Sequence, residues 1–348
     1  MTGGIKSRLA FYLRRRIEGR IVLLESDDWG LERADSERGI AWATQKFGSD
    51  NFSRWTTDAL ETPEDLDELF QVLEKFKTKF DKPPVITANF ITHKVTLNEE
   101  GTLQYIPLSQ RISAVKKYYA MAIQAGLLCP QFHGFSHYNT SLVEQYSTSA
   151  ECKEAHENGF MLARATIKGS LNFLHGEYSK TNLKAMDQFQ LGMEEFKNVF
   201  GFYSTSLIPP TYIFDLHYSK PISAFIRYLQ GGNQLTDTFK KRHTYSFLRK
   251  HHNIIWGVRN ARLDPHPHYN FGYEQCLLNI KAAFQNKLPA TIDFHRVNFS
   301  GRFAPKYRTR TIQELTSLFM AIYKHWPDAQ FLTTPQLISL LHGTSQSD

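Results

Sequence analysis

Short apolar runs alternate with longer amphipathic segments along this chain. The first apolar run, at 20–25, contains β-branched residues and ends abruptly in the polar residues 26–28, which is typical of a buried strand that delivers polar side chains at its carboxyl end. An amphipathic helix is predicted after Thr62, a suitable N-cap, because Pro63 fits the first helical position and leucines recur at helical spacing behind it. The order of strand, polar tip and helix then repeats. Further strands are predicted at 84–90, 130–132, 201–208, 253–256, 290–294 and 329–333, and further helices at 109–125, 186–200, 273–286 and 312–326.

This alternation predicts an α/β fold. About seven strands separated by helices favour a mostly parallel sheet. Polar residues gather at the carboxyl ends of the strands, which favours a barrel with its functional residues at one mouth, and an open, doubly wound sheet is the alternative. No repeat, low-complexity tract or linker divides the chain, so a single domain is predicted over 1–342, followed by a polar tail at 343–348.

Composition sets limits on the class of protein. With 348 residues and 41% hydrophobic content, the chain can bury a large core. Its 41 basic and 34 acidic residues give a formal net charge of +7, which indicates a mild preference for anionic partners and does not indicate nucleic acid. The basic residues are densest at 14–16. A solvated helix face is one interpretation of that run, and contact with an anionic membrane surface or a charged glycan is the other.

The predicted location is the cytoplasm. No apolar run approaches the ~18 residues that cross a bilayer, and the N-terminus lacks the apolar stretch and cleavage site of a signal peptide. Cys129, Cys152 and Cys276 are widely separated and odd in number, which fits reduced thiols better than a disulfide framework. The basic run at 14–16 leaves peripheral attachment to a membrane open.

The first candidate for chemistry is the pair Asp27-Asp28 at the end of the first predicted strand. Two adjacent carboxylates in a confined site resist joint ionisation unless a cation neutralises them. The pair therefore indicates a cation site. A turn or a helix cap is the structural alternative.

The second candidate is the pair His133 and His137, directly after a predicted strand. On a helical turn, this spacing puts both imidazoles on one face, where two neutral nitrogens can bind one divalent ion. Two surface or capping histidines are the alternative. Combined with the aspartate pair about a hundred positions earlier, the spacing predicts a metal site.

The third candidate is His295, which ends another apolar strand. Its place at the same end of the barrel suggests a proton donor or acceptor near the metal, and a structural histidine is the alternative.

The fourth candidate is the turn that follows Pro209 and Pro210. The prolines fix the direction of the backbone without donating hydrogen bonds, so the next amides, those of Thr211 and Tyr212, can face a developing oxyanion. A rigid turn that carries an aromatic residue is the other interpretation.

In this order, the four motifs resemble those of the polysaccharide deacetylases, the NodB-homology enzymes of carbohydrate esterase family 4. The resemblance spans roughly 22–298 and implies a distorted (β/α)7 barrel with one divalent cation, zinc being the first candidate. It also implies roles for individual residues: Asp28, His133 and His137 as metal ligands, Asp27 as general base, His295 as general acid and Tyr212 as the aromatic residue of the turn.

Three departures from the family pattern mark a divergent member. Trp29 stands before Gly30, where the family has a glycine directly after the aspartate pair. Gly134 follows His133, where serine or threonine is preferred. Ile208 takes the place of the arginine that orients the base.

Other residues are candidates for the missing arginine and for contact with a substrate. Arg259, Arg262 or Arg296 can supply the positive charge from another loop. The residues predicted to bind substrate are Trp29, Thr211, Tyr212 and Arg296, with the two aromatic side chains stacking on sugar rings.

The motifs and their resemblance predict a metal-dependent hydrolase that removes acetyl groups from an N-acetylated or O-acetylated sugar, in a polysaccharide or its precursor. Two rival functions stay open. One is a catalytically degenerate carbohydrate-binding protein on the same fold, which the missing arginine favours. The other is a glycoside hydrolase on a related seven-stranded barrel, which needs two carboxylates placed across the scissile bond.

Overall fold

The computed structural model describes residues 15–47, 53–160, 174–235, 248–266, 269 and 271–343, and the sheet that they form organises the molecule. The strands are β1 (Ile21–Trp29), β2 (Ile86–Ile91), β3 (His93–Leu97), β4 (Leu103–Pro107), β5 (Leu128–Gly134), β6 (Ser206–Leu207), β7 (Tyr228–Leu229), β8 (Lys250–His251), β9 (Ile254–Trp256), β10 (Ala261–Arg262), β11 (Ala290–His295) and β12 (Gln330–Phe331).

Helices connect most of these strands. They are α1 (Glu37–Phe47), α2 (Pro63–Lys75), α3 (Leu108–Arg111), α4 (Lys116–Gln124), α5 (Thr140–Ser147), α6 (Ala150–Glu157), α7 (Ala185–Phe200), α8 (Ser219–Ile222), α9 (Tyr273–Gln285), α10 (Pro305–His325) and α11 (Thr334–Gly343). Short 3-10 helices lie at Ser53–Thr57, Pro210–Tyr212, Leu216–Tyr218, Gly232–Gln234 and Arg296–Phe299.

No helix in the described part of the chain is long and apolar enough to span a bilayer. The basic run and the tail fall only partly within this part of the chain, since residues 1–14 and 344–348 lie outside it.

The main sheet has the order β10-β11-β1-β2-β5-β6-β7-β9-β8, with β12 paired to β1. Within the described residues, neighbouring strands run parallel except for β8 and β9, and β10 and β8 form the two edges of the sheet. The sheet curls into a half-barrel. The predicted α/β fold, a distorted barrel of mostly parallel strands, is thus confirmed.

The order of the strands brings the sequence motifs together. The aspartate pair ends β1, His133 lies near the end of β5, and His295 ends β11. These strands lie close to one another in the sheet, and Asp27 pairs in register with His295. The carboxyl ends of parallel strands meet at one edge, which is where α/β folds place their ligands.

The apolar core lies between the sheet and the helices that surround it. Phe132 of β5 packs against Phe189 of α7, with ring centroids 5.8 Å apart. The concave side of the sheet is polar instead: Asn89 and Gln230 exchange side-chain hydrogen bonds of 2.8 and 2.7 Å, and Gln131 accepts hydrogen bonds from β6. Because successive side chains of a strand point to opposite faces, one set of strands serves both environments.

Two predicted elements differ from the structure. The helix expected at 109–125 is divided into α3 and α4 by a turn, where the buried β-branched residues Ile112 and Val115 lie. The strand expected at 201–208 is paired only at Ser206–Leu207. Just before it, the Ser204 hydroxyl accepts a hydrogen bond from the Phe132 amide at 3.0 Å, so a side chain replaces the backbone in the ladder.

The predicted start of α2 is confirmed, and it provides a test of stability. Thr62 Oγ1 accepts a hydrogen bond from the Asp65 amide, while the Thr62 amide donates to Asp65 Oδ2 at 2.9 Å. Since a lost N-cap costs about 1 kcal/mol, Thr62→Ala should lower the free energy of unfolding by about that amount in urea titrations. Thr44→Ala, at an exposed position of α1, is the control and should change it little. Equal effects would contradict the role of the cap.

Candidate functional site

The structure brings Asp28, His133 and His137 together, as the motifs predict. Asp28 Oδ1 lies 3.1 Å from His133 Nε2 and 3.3 Å from His137 Nε2. The three candidate ligand atoms lie within 4.8 Å of one another, and all three side chains are buried. This grouping gives a cation two imidazole nitrogens and one carboxylate oxygen in a single pocket.

The backbone around Asp28 accounts for the position of both aspartates. The pairing of β1 with β2 shifts register between Ser26 and Trp29, and Asp28 has a φ of 66°. Such a bulge interrupts the alternation of a strand and re-aims a side chain. Asp27 and Asp28 therefore both reach the mouth of the half-barrel, although they are adjacent in the chain.

The two histidines do not lie on a helical turn, which corrects the prediction from their spacing. His133 is part of β5, His137 lies in a turn with a φ of 76°, and α5 begins only at Thr140. The rings meet because this turn, and not a helix, folds the chain back on itself. Their centroids are 5.4 Å apart.

The electrostatics of the cluster suit a divalent cation. The carbonyl of Ile208 accepts a hydrogen bond from His133 Nδ1 at 2.8 Å, which leaves the Nε2 lone pair for a metal. Burial alone would raise the pKa of Asp28, but the His137 and His133 rings hold it well below its ordinary value. An ionised carboxylate with two imidazoles is a donor set typical of catalytic zinc sites, so the residues present fit the metal that the motifs imply.

A buried ion-pair network holds the side chain and the backbone of Asp28 in place. Arg33 Nη2 lies 3.7 Å from Asp28 Oδ2, and Arg296 Nε donates to the Asp28 carbonyl at 3.0 Å. Both arginines also pair with buried Asp58. Arg296 is only 1% exposed. This corrects its assignment to substrate binding, because its guanidinium lies in the interior and orients the backbone of Asp28.

Asp27 has a different set of partners from its neighbour. Arg259 Nη1 donates a hydrogen bond to Asp27 Oδ2 at 2.6 Å, and Arg259 Nη2 donates to Asp27 Oδ1 at 2.8 Å. The side-chain Nδ2 of Asn89 also donates to Asp27 Oδ1, at 2.8 Å. Burial opposes ionisation, yet the charge and hydrogen bonds of Arg259 lower the pKa of Asp27 below its ordinary value. Asp27 is therefore a fixed anion beside the cluster of Asp28, His133 and His137.

Arg259 is the arginine that contacts Asp27, and the sequence alone left it among three candidates. Its guanidinium also donates to Glu25 and Asp293, with nitrogen–oxygen distances of 2.7 and 2.9 Å, and to Gln230 at 3.0 Å. Arginine has five N–H donors in a rigid fork, and all three nitrogens are used here. Arg262, the third candidate, pairs with Asp264 instead.

His295 and its surroundings adjoin Asp27 on the side away from the candidate metal ligands. Ligand atoms of Asp27, Asp293 and His295 lie within 4.8 Å of one another. The half-buried His295 ring also meets the Trp55 ring edge-on, with centroids 5.2 Å apart. Trp55 lies in a short 3-10 helix, and no motif around it in the sequence predicts that it lies near the site.

The Pro-Pro turn contributes differently from the prediction. The Tyr212 amide donates to the Pro209 carbonyl at 2.9 Å, so of the two amides expected to face an oxyanion, only that of Thr211 is left for that role. The Tyr212 hydroxyl donates to Asp293 Oδ2 at 3.1 Å. The ring thus supports the Asp27–Arg259 network, and the exposed Thr211, with a φ of 56°, forms the outer surface of the turn.

Trp29 lies in the core, which corrects its assignment to sugar stacking. Its side chain is completely buried, and its ring packs against Phe90 and Tyr119, with centroids 5.8 and 6.2 Å away. Its Nε1 donates to Ser26 Oγ at 2.9 Å. The tryptophan next to the candidate site is Trp55.

The Arg259 network gives a prediction for stability. Arg259→Met leaves Glu25, Asp27 and Asp293 without their shared cation, and losing one partner of a buried ion pair costs about 3–5 kcal/mol. Urea unfolding should show a loss of that size. Arg20→Met is the matched control, because its pair with Asp328 is exposed and should contribute little. If both variants unfold alike, the network does not stabilise the fold.

Comparisons with known proteins concern the fold. No family model matches the chain, and no curated protein matches its sequence. Among solved structures it is similar to the peptidoglycan deacetylase PdaC from Bacillus subtilis, with 10% identity, a TM-score of 0.40 and 94% of each chain covered. A CE4 family pseudoenzyme from Bacillus anthracis has 9% identity and a TM-score of 0.42, covering 93% of this chain and 66% of that one. The 4-alpha-glucanotransferase from Thermococcus litoralis has 11% identity and a TM-score of 0.45, covering 93% and 40%.

Proposed function

We propose that this chain is a metal-dependent hydrolase that removes acetyl groups from an N-acetylated or O-acetylated sugar, in a polysaccharide or its precursor. One observation carries the proposal: the buried cluster of Asp28, His133 and His137 lies beside Asp27, which Arg259 holds through both carboxylate oxygens. A separate ligand set and an oriented anion are the two parts that metal-assisted hydrolysis requires.

Asp28, His133 and His137 would hold one divalent cation, for which zinc fits the donor set. When bound, such an ion supplies Lewis acidity towards water and towards the acetyl oxygen. The residues around it keep their ligand atoms in place: Ile208 fixes the His133 tautomer, and Arg33 attracts the second oxygen of Asp28.

Asp27 is the general base in this proposal. An ionised carboxylate offers about four lone-pair positions. Arg259 and Asn89 occupy two on Oδ1, and Arg259 occupies one on Oδ2. The remaining lone-pair position on Oδ2 can accept the proton of the attacking water. The hydrogen bonds from Arg259 and Asn89 prevent the carboxylate from turning towards another partner.

His295 is the general acid. It lies across from Asp27 in the register of β1 and β11, and its protonated ring can give a proton to the leaving amine or hydroxyl. Trp55 packs against this ring and restricts its orientation. The position of His295 on one side of Asp27 and of the three candidate ligands on the other supports the proposal of acyl hydrolysis.

The two rival functions are less well supported by the geometry. The missing arginine favoured a non-catalytic binding protein, but Arg259 supplies that charge from the segment after β9. A glycoside hydrolase needs carboxylates about 5–9.5 Å apart around the scissile bond. Asp27 Oδ2 and Asp293 Oδ1 both accept hydrogen bonds from Arg259 Nη1, at 2.6 and 2.9 Å, so a guanidinium lies between these two carboxylates where a scissile bond would have to lie.

The test is acetate release from N- and O-acetylated saccharides, including lipid- and nucleotide-linked precursors. We expect acetate with an intact glycan chain, loss of activity after chelation and recovery on adding Zn²⁺. Shortened glycan chains would support the glycoside hydrolase. Metal binding without acetate release from any saccharide would support the binding protein.

Location and partners are part of the same proposal. We place the enzyme in the cytoplasm, with the basic N-terminal residues touching an anionic membrane surface. Of this run, Arg15 and Arg16 belong to the described residues. Sedimentation with vesicles that contain anionic lipid tests the contact.

A further inference from the structure

The turn that carries His137 wraps around a buried carboxylate. Glu177 accepts hydrogen bonds from three consecutive backbone amides, those of Phe135, Ser136 and His137, at 2.7, 3.0 and 2.8 Å. Successive amides that converge in this way form an anion-binding nest. Here the anion belongs to the chain itself, because Glu177 is fully buried.

The backbone of the turn depends on this carboxylate. His137 has a φ of 76° and Gly134 a φ of 138°, and a non-glycine residue in the left-handed region persists only when its surroundings enforce it. Glycine is needed at 134, since a Cβ there would lie 2.7 Å from Glu177 Oε1. The glycine that departs from the family motif makes space for Glu177.

Glu177 is itself held in place from the far side. Its carbonyl accepts a hydrogen bond from the Asn182 side chain at 2.8 Å, and the next residue, Tyr178, is buried and bridged to Phe214. From the same segment, His175 packs against the His137 ring, with centroids 5.2 Å apart. The segment therefore fixes both the backbone and the ring of His137.

We propose that Glu177 is a positioning residue that holds His137 in its metal-binding geometry before a cation arrives. This inference rests on the proposed metal site. Without the carboxylate, three adjacent amides would be buried without acceptors and the turn would relax, moving the His137 ring away from Asp28. Supports of this kind outside the ligand set typically contribute 10–100-fold to metal affinity.

The experiment compares Zn²⁺ affinity in the full-length wild type and Glu177→Gln, by competition with a chromophoric chelator. Glutamine keeps the size of the side chain but offers one acceptor oxygen and turns an NH₂ group towards the turn amides. We expect binding to weaken by about 10–100-fold and the visible spectrum of the Co²⁺ form to change. Glu144→Gln is the control, since its carboxylate is exposed and pairs with Lys184. Unchanged affinity and spectrum in folded Glu177→Gln would overturn the proposal.

Two further measurements apply even if Glu177→Gln does not fold. Gly134→Ala leaves Glu177 intact but displaces it, so it should also weaken Zn²⁺ binding, and wild-type affinity would contradict the inference.

In metal-free wild type, the amides of 135–137 should be protected from hydrogen exchange. Fast exchange there would mean that Glu177 does not preform the turn. If wild type itself binds no Zn²⁺ while these amides are protected, the proposed function fails and the role of Glu177 in the turn stands.

Discussion

His133→Ala should abolish metal binding and, with it, the release of acetate. The change removes one of three ligands and also the hydrogen bond to the Ile208 carbonyl, which sets the tautomer of the ring. Asp28 and His137 would remain, but two ligands are too few to hold zinc firmly in a catalytic site. After dialysis against a weak chelator, elemental analysis should find about one zinc per wild-type chain and almost none in the variant.

The control for this change is His217→Ala, because the His217 side chain is 54% exposed and contacts its neighbours Asp215 and Tyr218, away from the ligand set. It should keep metal and activity. Asp28→Ala should also lose the metal, with a further loss of stability, since Arg33 then keeps only Asp58 of its two buried acidic partners. Zinc retained at the wild-type level in His133→Ala would show that the cluster is not the metal site.

The elements that the sequence predicts best are those with strong local signals. Thr62 and Pro63 mark the start of α2 through capping chemistry that acts within one turn. Apolar runs bounded by polar residues locate β1, β2 and β11 within a few residues. The carboxyl ends of β1 and β11 carry two of the motifs, so the mouth of the barrel follows from the assumption that the strands run parallel.

The supports of the site could not be predicted, because they depend on contacts between distant segments. Arg259 follows a three-residue strand, and nothing near it in the chain distinguishes it from Arg262. Glu177 lies 40 positions or more along the chain from the amides whose hydrogen bonds it accepts. Such residues have no motif. Only the fold shows which charged side chains reach the site.

Two tryptophans show that closeness to a motif in sequence does not predict closeness to the site in the structure. Trp29 follows the aspartate pair directly, but the bulge in β1 sends its ring into the core, where it packs against Phe90. Trp55 is distant in sequence from each motif, yet its ring touches His295 and lies under the Arg33 guanidinium at 4.4 Å. A bulge exchanges the two faces of a strand, and its position cannot be read from the apolar pattern.

Asp27→Asn should retain the metal and lose turnover. The amide can still accept from Arg259 through its oxygen, but it cannot take a proton from water, and general base catalysis contributes about 10²–10⁴-fold. We therefore expect kcat for acetate release to fall within that range, with zinc content unchanged. Asp67→Asn, on the exposed face of α2, is the matched control and should leave kcat unaltered.

The pH dependence distinguishes ionisation of Asp27 from protonation of the histidine ligands. Since Arg259 lowers the pKa of Asp27 despite its burial, the ionised form persists below the ordinary range of aspartate. Wild-type activity should then fall at acidic pH together with zinc content, as His133 and His137 take up protons, and the residual activity of Asp27→Asn should follow zinc content in the same way. If the variant kept full turnover, another group would be the base. If it lost zinc as well, Asp27 would belong with Asp28 among the ligands.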